Sequence, residues 1–278
     1  MRRRKTLLGS LLKFIFGLIL LVAVVVGGIC GFLYFKYKIN VFTVMGQLNT
    51  LSQAPQVEKI ITNPYESSDK ETIETIKNST VITTYAEFSD RQIASYISDY
   101  IKNNPDALKV KLSNDKEIDL QEYGFELSQI KFSNIDEKGN VDFNVVVKLE
   151  LEKVKKFMKE NGVPLKWFVN KVPDQLYISS TVRVTKGETA FAYSTEGLGM
   201  TINNLSLKDT ESIFDTVNVF VKLGSSKDFS KTIGDIFVDS LIGNENNDGL
   251  AYSLKGKGVK DYTFTSHDDN NYFAIIVL

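Results

Sequence analysis

Four Ser-x-x-Lys tetrads begin at Ser10, Ser67, Ser113 and Ser128. One turn of helix brings such a lysine beside the serine, where its amine can take the hydroxyl proton and ready the oxygen for acyl transfer. That chemistry also requires a Lys-Thr-Gly or Ser-Asp-Asn element; neither accompanies the tetrads, and the first overlaps an apolar run. Four matches without partners are a coincidence of composition. His267 is the only histidine and lies beside Asp268 and Asp269 in a polar stretch. A lone imidazole lacks the companions a metal cluster or a hydrolase would need, and a solvated loop accounts for it. Asn244-x-Asn246-x-Asp248-Gly249 opens like a calcium loop, yet its twelfth position is Lys255 where a bidentate Glu belongs, so it reads as a turn. The sequence assigns no catalytic residue, no metal ligand and no cofactor.

The element that positions everything else is an uninterrupted apolar run from Phe14 to Phe35. At a rise of about 1.5 Å per residue such a helix is about 33 Å long, enough to cross a hydrocarbon core of about 30 Å. Arg2, Arg3, Arg4, Lys5 and Lys13 precede it and only Lys36 and Lys38 follow closely, a bias that keeps the amino terminus in the cytoplasm. The run ends in Gly31-Phe32-Leu33-Tyr34-Phe35 without a small-x-small cleavage site, which predicts an uncleaved anchor. Cys30 follows Ile29, not the small residue of a lipoprotein signal, and reads as a membrane-buried thiol; Gly27 and Gly31 form a small-xxx-small pair of the kind that packs anchor helices.

Removing the seven basic residues of the first 38 leaves an ectodomain with 26 Lys and Arg against 34 Asp and Glu, a net charge of −8. Nucleic-acid affinity rests on a basic field, so DNA and RNA are excluded as partners. The ectodomain has no cysteine, so it must fold on an apolar core, without disulfides or thiolate metal sites. Few Pro and His with many Lys, Asn and Ile fit a bacterial protein from an AT-rich genome.

The predicted organisation is a cytoplasmic basic segment (1–13), a transmembrane helix (14–35), a stalk (36–78) and an extracytoplasmic α+β domain (79–278). Val81, Thr83 and Tyr85 suggest a short first strand. Ser89 and Gln92 form a capping box, with Phe88 and Ile93 as its staple, for a helix ending at Asn103-Asn104-Pro105. Val141, Phe143, Val145, Val147, Leu149 and Leu151 alternate with polar residues as one long strand. A turn at Asp136 to Asn140 joins it to a strand from Phe125 to Ile135 whose change of phase predicts a bulge. A second hairpin turns at Lys186-Gly187, two amphipathic helices end at Gly224 and Gly243, and two strands near Tyr262 to Thr265 and Tyr272 to Leu278 close the chain. Trp167 lies in an apolar connection.

The capped helix beginning Phe88-Ser89-Asp90-Arg91-Gln92-Ile93, the long amphipathic strands, and the later helix entered through Ile202-Asn203-Asn204-Leu205-Ser206-Leu207 occur in an order that resembles bacterial membrane-anchored relatives of the tubular lipid-binding (TULIP-like) fold. The resemblance runs from Val81 to Phe220, and the Leu151 to Pro173 segment and the helix after Gly224 depart from it. It implies a long, curved, mainly antiparallel sheet wrapped on amphipathic helices, holding lipid along a groove. Val141, Phe143, Val145, Val147 and Leu149, with Phe214, Val217 and Phe220 on the helix from Lys208 to Leu223, are the candidate lining; the same residues would read alike in a packed core. Two partner classes follow besides the membrane: a lipid or other hydrophobic envelope molecule, or, if the core is filled, an envelope protein in an assembly module. A hydrolase of envelope polymers has the least support, because polar catalytic residues do not cluster in sequence.

Overall fold

The alternating and amphipathic segments fold into antiparallel sheets and helices, an α+β arrangement, in a computed structural model that describes residues 41–103, 109–111, 117–119, 124–152, 156, 173–221, 225–246 and 248–277. The anchor residues 14–35 and the Trp167 segment lie outside the described residues, as do the side chains of Val217 and Phe220. Helix α1 (Val41–Ser52) is followed by one-turn α2 (Val57–Ile60), a 3-10 turn (Ser67–Lys70) and α3 (Glu71–Asn78). Strand β1 (Ala86–Ser89) runs into α4 (Asp90–Asn103), and β2 (Lys109–Lys111) pairs with β3 (Glu117–Asp119). Then come β4 (Glu126–Ser133), β5 (Val141–Glu150), β6 (Gln175–Lys186) and β7 (Tyr193–Ile202), which form a sheet in that order. Helices α5 (Leu207–Val221), α6 (Ser226–Leu241) and α7 (Leu250–Ser253) precede β8 (Val259–His267) and β9 (Asn270–Val277), which join β1 in a sheet of order β1-β9-β8. The long strands therefore lie in two sheets instead of one: the first strand finds its partner at the far end of the chain, a pairing no local pattern announces.

Local chemistry explains the boundaries. Ser89 and Gln92 exchange the two bonds of the expected capping box, with Gln92 N to Ser89 Oγ at 3.3 Å and Ser89 N to Gln92 Oε1 at 2.9 Å, above a fully buried Phe88 and Ile93. The expected bulge falls between Leu127 and Gln129 on β4. At the β4–β5 turn, Asp136 accepts backbone bonds from Lys138 and Asn140, and Arg183 ties the turn to β6 through Asp136 (2.9 Å) and Asp142 (3.0 Å). His267 and Asn270 face each other across a two-residue turn whose Asp268 and Asp269 both have positive φ, as a type I′ hairpin requires. Val81 and Tyr85 are exposed and Ile82 is buried, so the first strand starts later than expected, at Ala86.

The two large sheets share an aromatic seam. Phe132 on β4 meets Phe143 at 5.4 Å and Phe264 on β8 at 5.3 Å, and Phe264 meets Phe273 at 5.3 Å. Helix α6 covers β5, β6 and β7, while α4 covers β4 and the β1-β9 edge. α6 lies unusually close: a Cβ on Gly234 would stand 2.4 Å from Val182 Cγ1, and one on Gly197 of β7 would stand 1.9 Å from Lys227 O. Gly46 of α1, in contrast, has nothing within 4 Å of its Cβ direction. Substituting alanine at these glycines should therefore have opposite signs. Gly197→Ala forces helix and sheet apart and should cost about 2–3 kcal/mol, whereas Gly46→Ala should stabilise by about 0.5–1 kcal/mol through helix propensity. Denaturant midpoints of the two variants measure both; a neutral Gly197→Ala would refute the close approach.

Candidate functional site

The row proposed as a ligand lining projects from one face of β5. Val141, Phe143, Val145, Val147 and Leu149 face, in register, Val184, Val182, Ser180, Ile178 and Leu176 of β6 and, on the other side, Phe132, Ile130 and Leu127 of β4. None of the five is more than 1 % exposed, and Phe214 on α5 is 0 % exposed with its ring 5.4 Å from that of Phe229. The helix over this face is α6, not the Lys208 to Leu223 helix expected there; α5 packs at the side, on β7 and α6. A recess lined by Tyr96, Ile97, Tyr100, Ser240 and Asp248 has a volume of about 10 Å³, room for one water molecule.

Beneath α6 the sheet carries a polar centre that the apolar pattern hid. β6 and β7 slip register between Thr181 and Val182, and Gly199 opposite has φ +149°. Ser230 of α6 points into this irregularity, its Oγ 2.7 Å from Thr181 O, 2.8 Å from Gly199 O and 2.9 Å from Ser180 Oγ. Ser180 and Ser230 are both 0 % exposed. The one Ser230 proton can go to either strand carbonyl, and Ser180 Oγ reaches Ser230 O at 2.9 Å, so both hydroxyls are hydrogen-bonded, which is why two serines are tolerated in an otherwise apolar layer. At the rim, Lys231 Nζ holds Asp235 at 2.8 Å, Thr195 donates to the same Asp235, and Tyr193 donates to Asp239.

Parts of the segment expected to be a stalk are built into the domain. Val44, Leu48 and Leu51 of α1 and Ile73 of α3 are buried, Tyr65 Oη lies 2.8 Å from Leu127 O at the β4 bulge, and Thr62 N donates to Gln129 Oε1 at 3.4 Å. Asn203, in the left-handed region at φ 48°, holds the end of α1. Its Oδ1 accepts from Tyr177 N at 2.7 Å, and its Nδ2 donates to Gln175 O at 3.1 Å and Leu51 O at 3.5 Å. Asn204 completes the clasp, donating to Ala54 O at 3.1 Å and accepting from Gln56 N at 3.0 Å. Gln47 Nε2 reaches Asp209 at 3.3 Å, while Gln47 Oε1 and Thr210 Oγ1 are buried without a protein partner. The Asn203-Asn204 pair at a strand-to-helix junction is the one sequence signal that could have announced this clasp.

The residues singled out for chemistry are dispersed. Lys70 of the Ser67 tetrad pairs with Asp99 at 2.9 Å and Glu74 at 3.2 Å, and Lys131 of the Ser128 tetrad reaches Thr62 Oγ1 at 3.5 Å; Ser10 and Ser113 lie outside the described residues. Asn244 Oδ1 accepts from Asn246 N at 2.9 Å, a local turn bond. Among the described residues no group of three or more His, Cys, Asp or Glu is placed to hold a metal. His267 is more engaged than a solvated loop residue. Its ring stacks on Tyr272 at 4.5 Å, Nε2 lies 2.7 Å from Glu87 Oε2, and Nδ1 lies 3.3 Å from Asp268 Oδ2. Both ring nitrogens thus face carboxylates, an arrangement that favours the imidazolium.

Comparison with known protein families, with characterised proteins and with solved structures finds no match to this chain. Its chemistry has to be read from its own geometry.

The hydrogen bonds to Glu87 and then to Asp268 raise the His267 pKa above its ordinary 6.5. Burial pushes Glu87 up, but hydrogen bonds from Tyr85, His267 and Thr265 outweigh it and leave its carboxyl below 4.5. His267 therefore contributes stability that is complete below about pH 6.5 and is lost as pH rises through its raised folded value; Glu87 contributes above about pH 4.5 and loses it as pH falls. The pair works fully only between those limits. The deficit of His267→Gln relative to the unsubstituted protein should be largest near about pH 5.5 and close by about pH 9, read as the difference in denaturant midpoint. An equal deficit at both would mean the ring acts through stacking alone.

Proposed function

We propose that this is a single-pass membrane protein, amino terminus in the cytoplasm, whose extracytoplasmic domain serves the cell envelope as a non-catalytic interaction and assembly module with a filled core. The apolar run of 14–35 and its flanking basic residues support the anchor and its orientation. Among the described helices none is long and apolar enough to cross a membrane.

The observation that carries the choice of a filled core over a lipid groove is the closure of the candidate lining. A side chain on the wall of a lipid-sized void would touch any water-sized sphere placed in that void. The six candidates whose side chains are described, Val141, Phe143, Val145, Val147, Leu149 and Phe214, are 0–1 % exposed and so offer such a sphere almost no surface. Small contact residues on α6 and the facing strands bring helix and sheet together where a ligand would need them apart.

A substitution separates the two readings. In a filled core Val145→Phe adds four heavy atoms with nowhere to go and should lower stability by about 1–3 kcal/mol; an open groove would accept the ring. The unsubstituted full-length protein, purified in detergent and analysed by native mass spectrometry, should carry no lipid that survives detergent removal. A stable Val145→Phe domain together with stoichiometric retained lipid would return the lipid-binding reading to first place.

A further inference from the structure

We propose that the domain rides directly on the bilayer surface, with the solvent-facing side of α1 turned toward the lipid headgroups. The inference rests on the anchored reading above and adds to it a specific face and partner.

Three observations converge on that face. The first is reach. Five residues, 36–40, separate the end of the apolar run at Phe35 from Val41, the first described residue of α1. Fully extended they span about 17 Å at most, of which crossing the headgroup layer uses about 5–8 Å. A folded domain of 240 residues has a radius of gyration of about 18 Å, so such a tether is shorter than half the domain's width.

The second is attachment. A short tether constrains a domain only if its end is fixed, and α1 is fixed: Val44, Leu48 and Leu51 are buried, Asn203 bonds Leu51 O, and Asn204 holds Ala54 and Gln56. The domain cannot swing away on α1 without breaking that clasp.

The third is surface chemistry. α1 (VFTVMGQLNTLS) has no charged residue, in a chain that is 24 % charged. Its outward residues include Thr43, Met45, Gly46 and Asn49, with Met45 50 % exposed. Lys36 and Lys38 immediately before it add positive charge. A domain of net charge −8 would be repelled by anionic headgroups through most of its surface. The uncharged helix, which two lysines precede in the sequence, is the face that can approach them.

The test uses the full-length chain with Cys30→Ser, reconstituted in nanodiscs of phosphatidylcholine and phosphatidylglycerol. A fluorophore is attached at Met45→Cys or Lys138→Cys, both exposed sites. Lys138 lies on the β4–β5 turn, where Asn140 bonds Lys186 at the end of β6, whereas the clasp lies at Gln175, where β6 begins. The length of that strand, about 35–40 Å, separates the turn from the clasp. Lipids with a nitroxide on the headgroup should quench the Met45 site several-fold more than the Lys138 site. Inserting about 20 Gly and Ser residues after Lys38, with a mean reach of about 25 Å, should weaken the quenching at Met45. Equal quenching at the two sites, or quenching at Met45 that the insertion leaves unchanged, overturns the proposal. Protein that stays out of the nanodiscs altogether overturns the anchored reading instead, and flotation distinguishes that failure from the others.

Discussion

The approach of α6 to the four-stranded sheet is the constraint on which the rest of the domain depends. Helix and sheet meet through Gly197, Gly234, Ser180 and Ser230, side chains small enough to bring backbone nearly onto backbone. At that separation the apolar residues around them, Val182, Ile178, Met200 and Phe237, close over one another with at most 2 % exposure. Interiors packed this densely do not open to admit a ligand without losing the dispersion contacts that hold them. The register slip between Thr181 and Val182 is part of the same device. Ser230 of the helix bonds Thr181 O at that slip, a polar contact that marks where along the sheet α6 sits.

A second polar joint governs the other side of the molecule. Asn203 uses its amide on three backbone groups from two segments, Tyr177 N and Gln175 O of β6 and Leu51 O of α1, and takes a left-handed backbone to do so. Asparagine is among the few residues other than glycine that adopt this conformation readily. A glycine there would keep the turn and lose the clasp. The residue thus joins the end of β7, the start of β6 and the end of α1, so that the segment nearest the apolar run is mechanically part of the sheet.

Much of this was legible in the chain because it is local. The Ser89–Gln92 capping box, the β4 bulge implied by the change of phase between Leu127 and Ile130, the Asp136 to Asn140 turn and both α5 and α6 follow from patterns spanning a dozen residues or fewer. What was not legible is non-local or polar. Residues 52–78 show no continuous period and contain Pro55 and Pro64, the marks of a linker; they join the domain through single contacts such as Tyr65 to Leu127 O and Ile73 in the core. The β5 row looks the same whether it faces a groove or a helix. Only the small residues on the partner surfaces decide between the two, and their meaning depends on a register that sequence alone does not supply.

On the proposed reading, a closed core leaves binding to the surfaces, and the distribution of charge makes those surfaces unequal. Arg183 and Lys186 are engaged by Asp136, Asp142 and Asp261 at the end of the sheet opposite the clasp. Such pairs, partly exposed, contribute little to stability and cancel charge of both signs in any field the domain presents to a partner. The net charge of −8 is carried by the body of the domain, since α1 has no charged side chain. On the anchored reading proposed above, an anionic surface would orient such a molecule before any contact forms, neutral helix inward and acidic body outward. On the proposed reading the surface left free for a partner is the acidic one, and a partner complementary to it would be basic, binding with an affinity that falls as salt is raised.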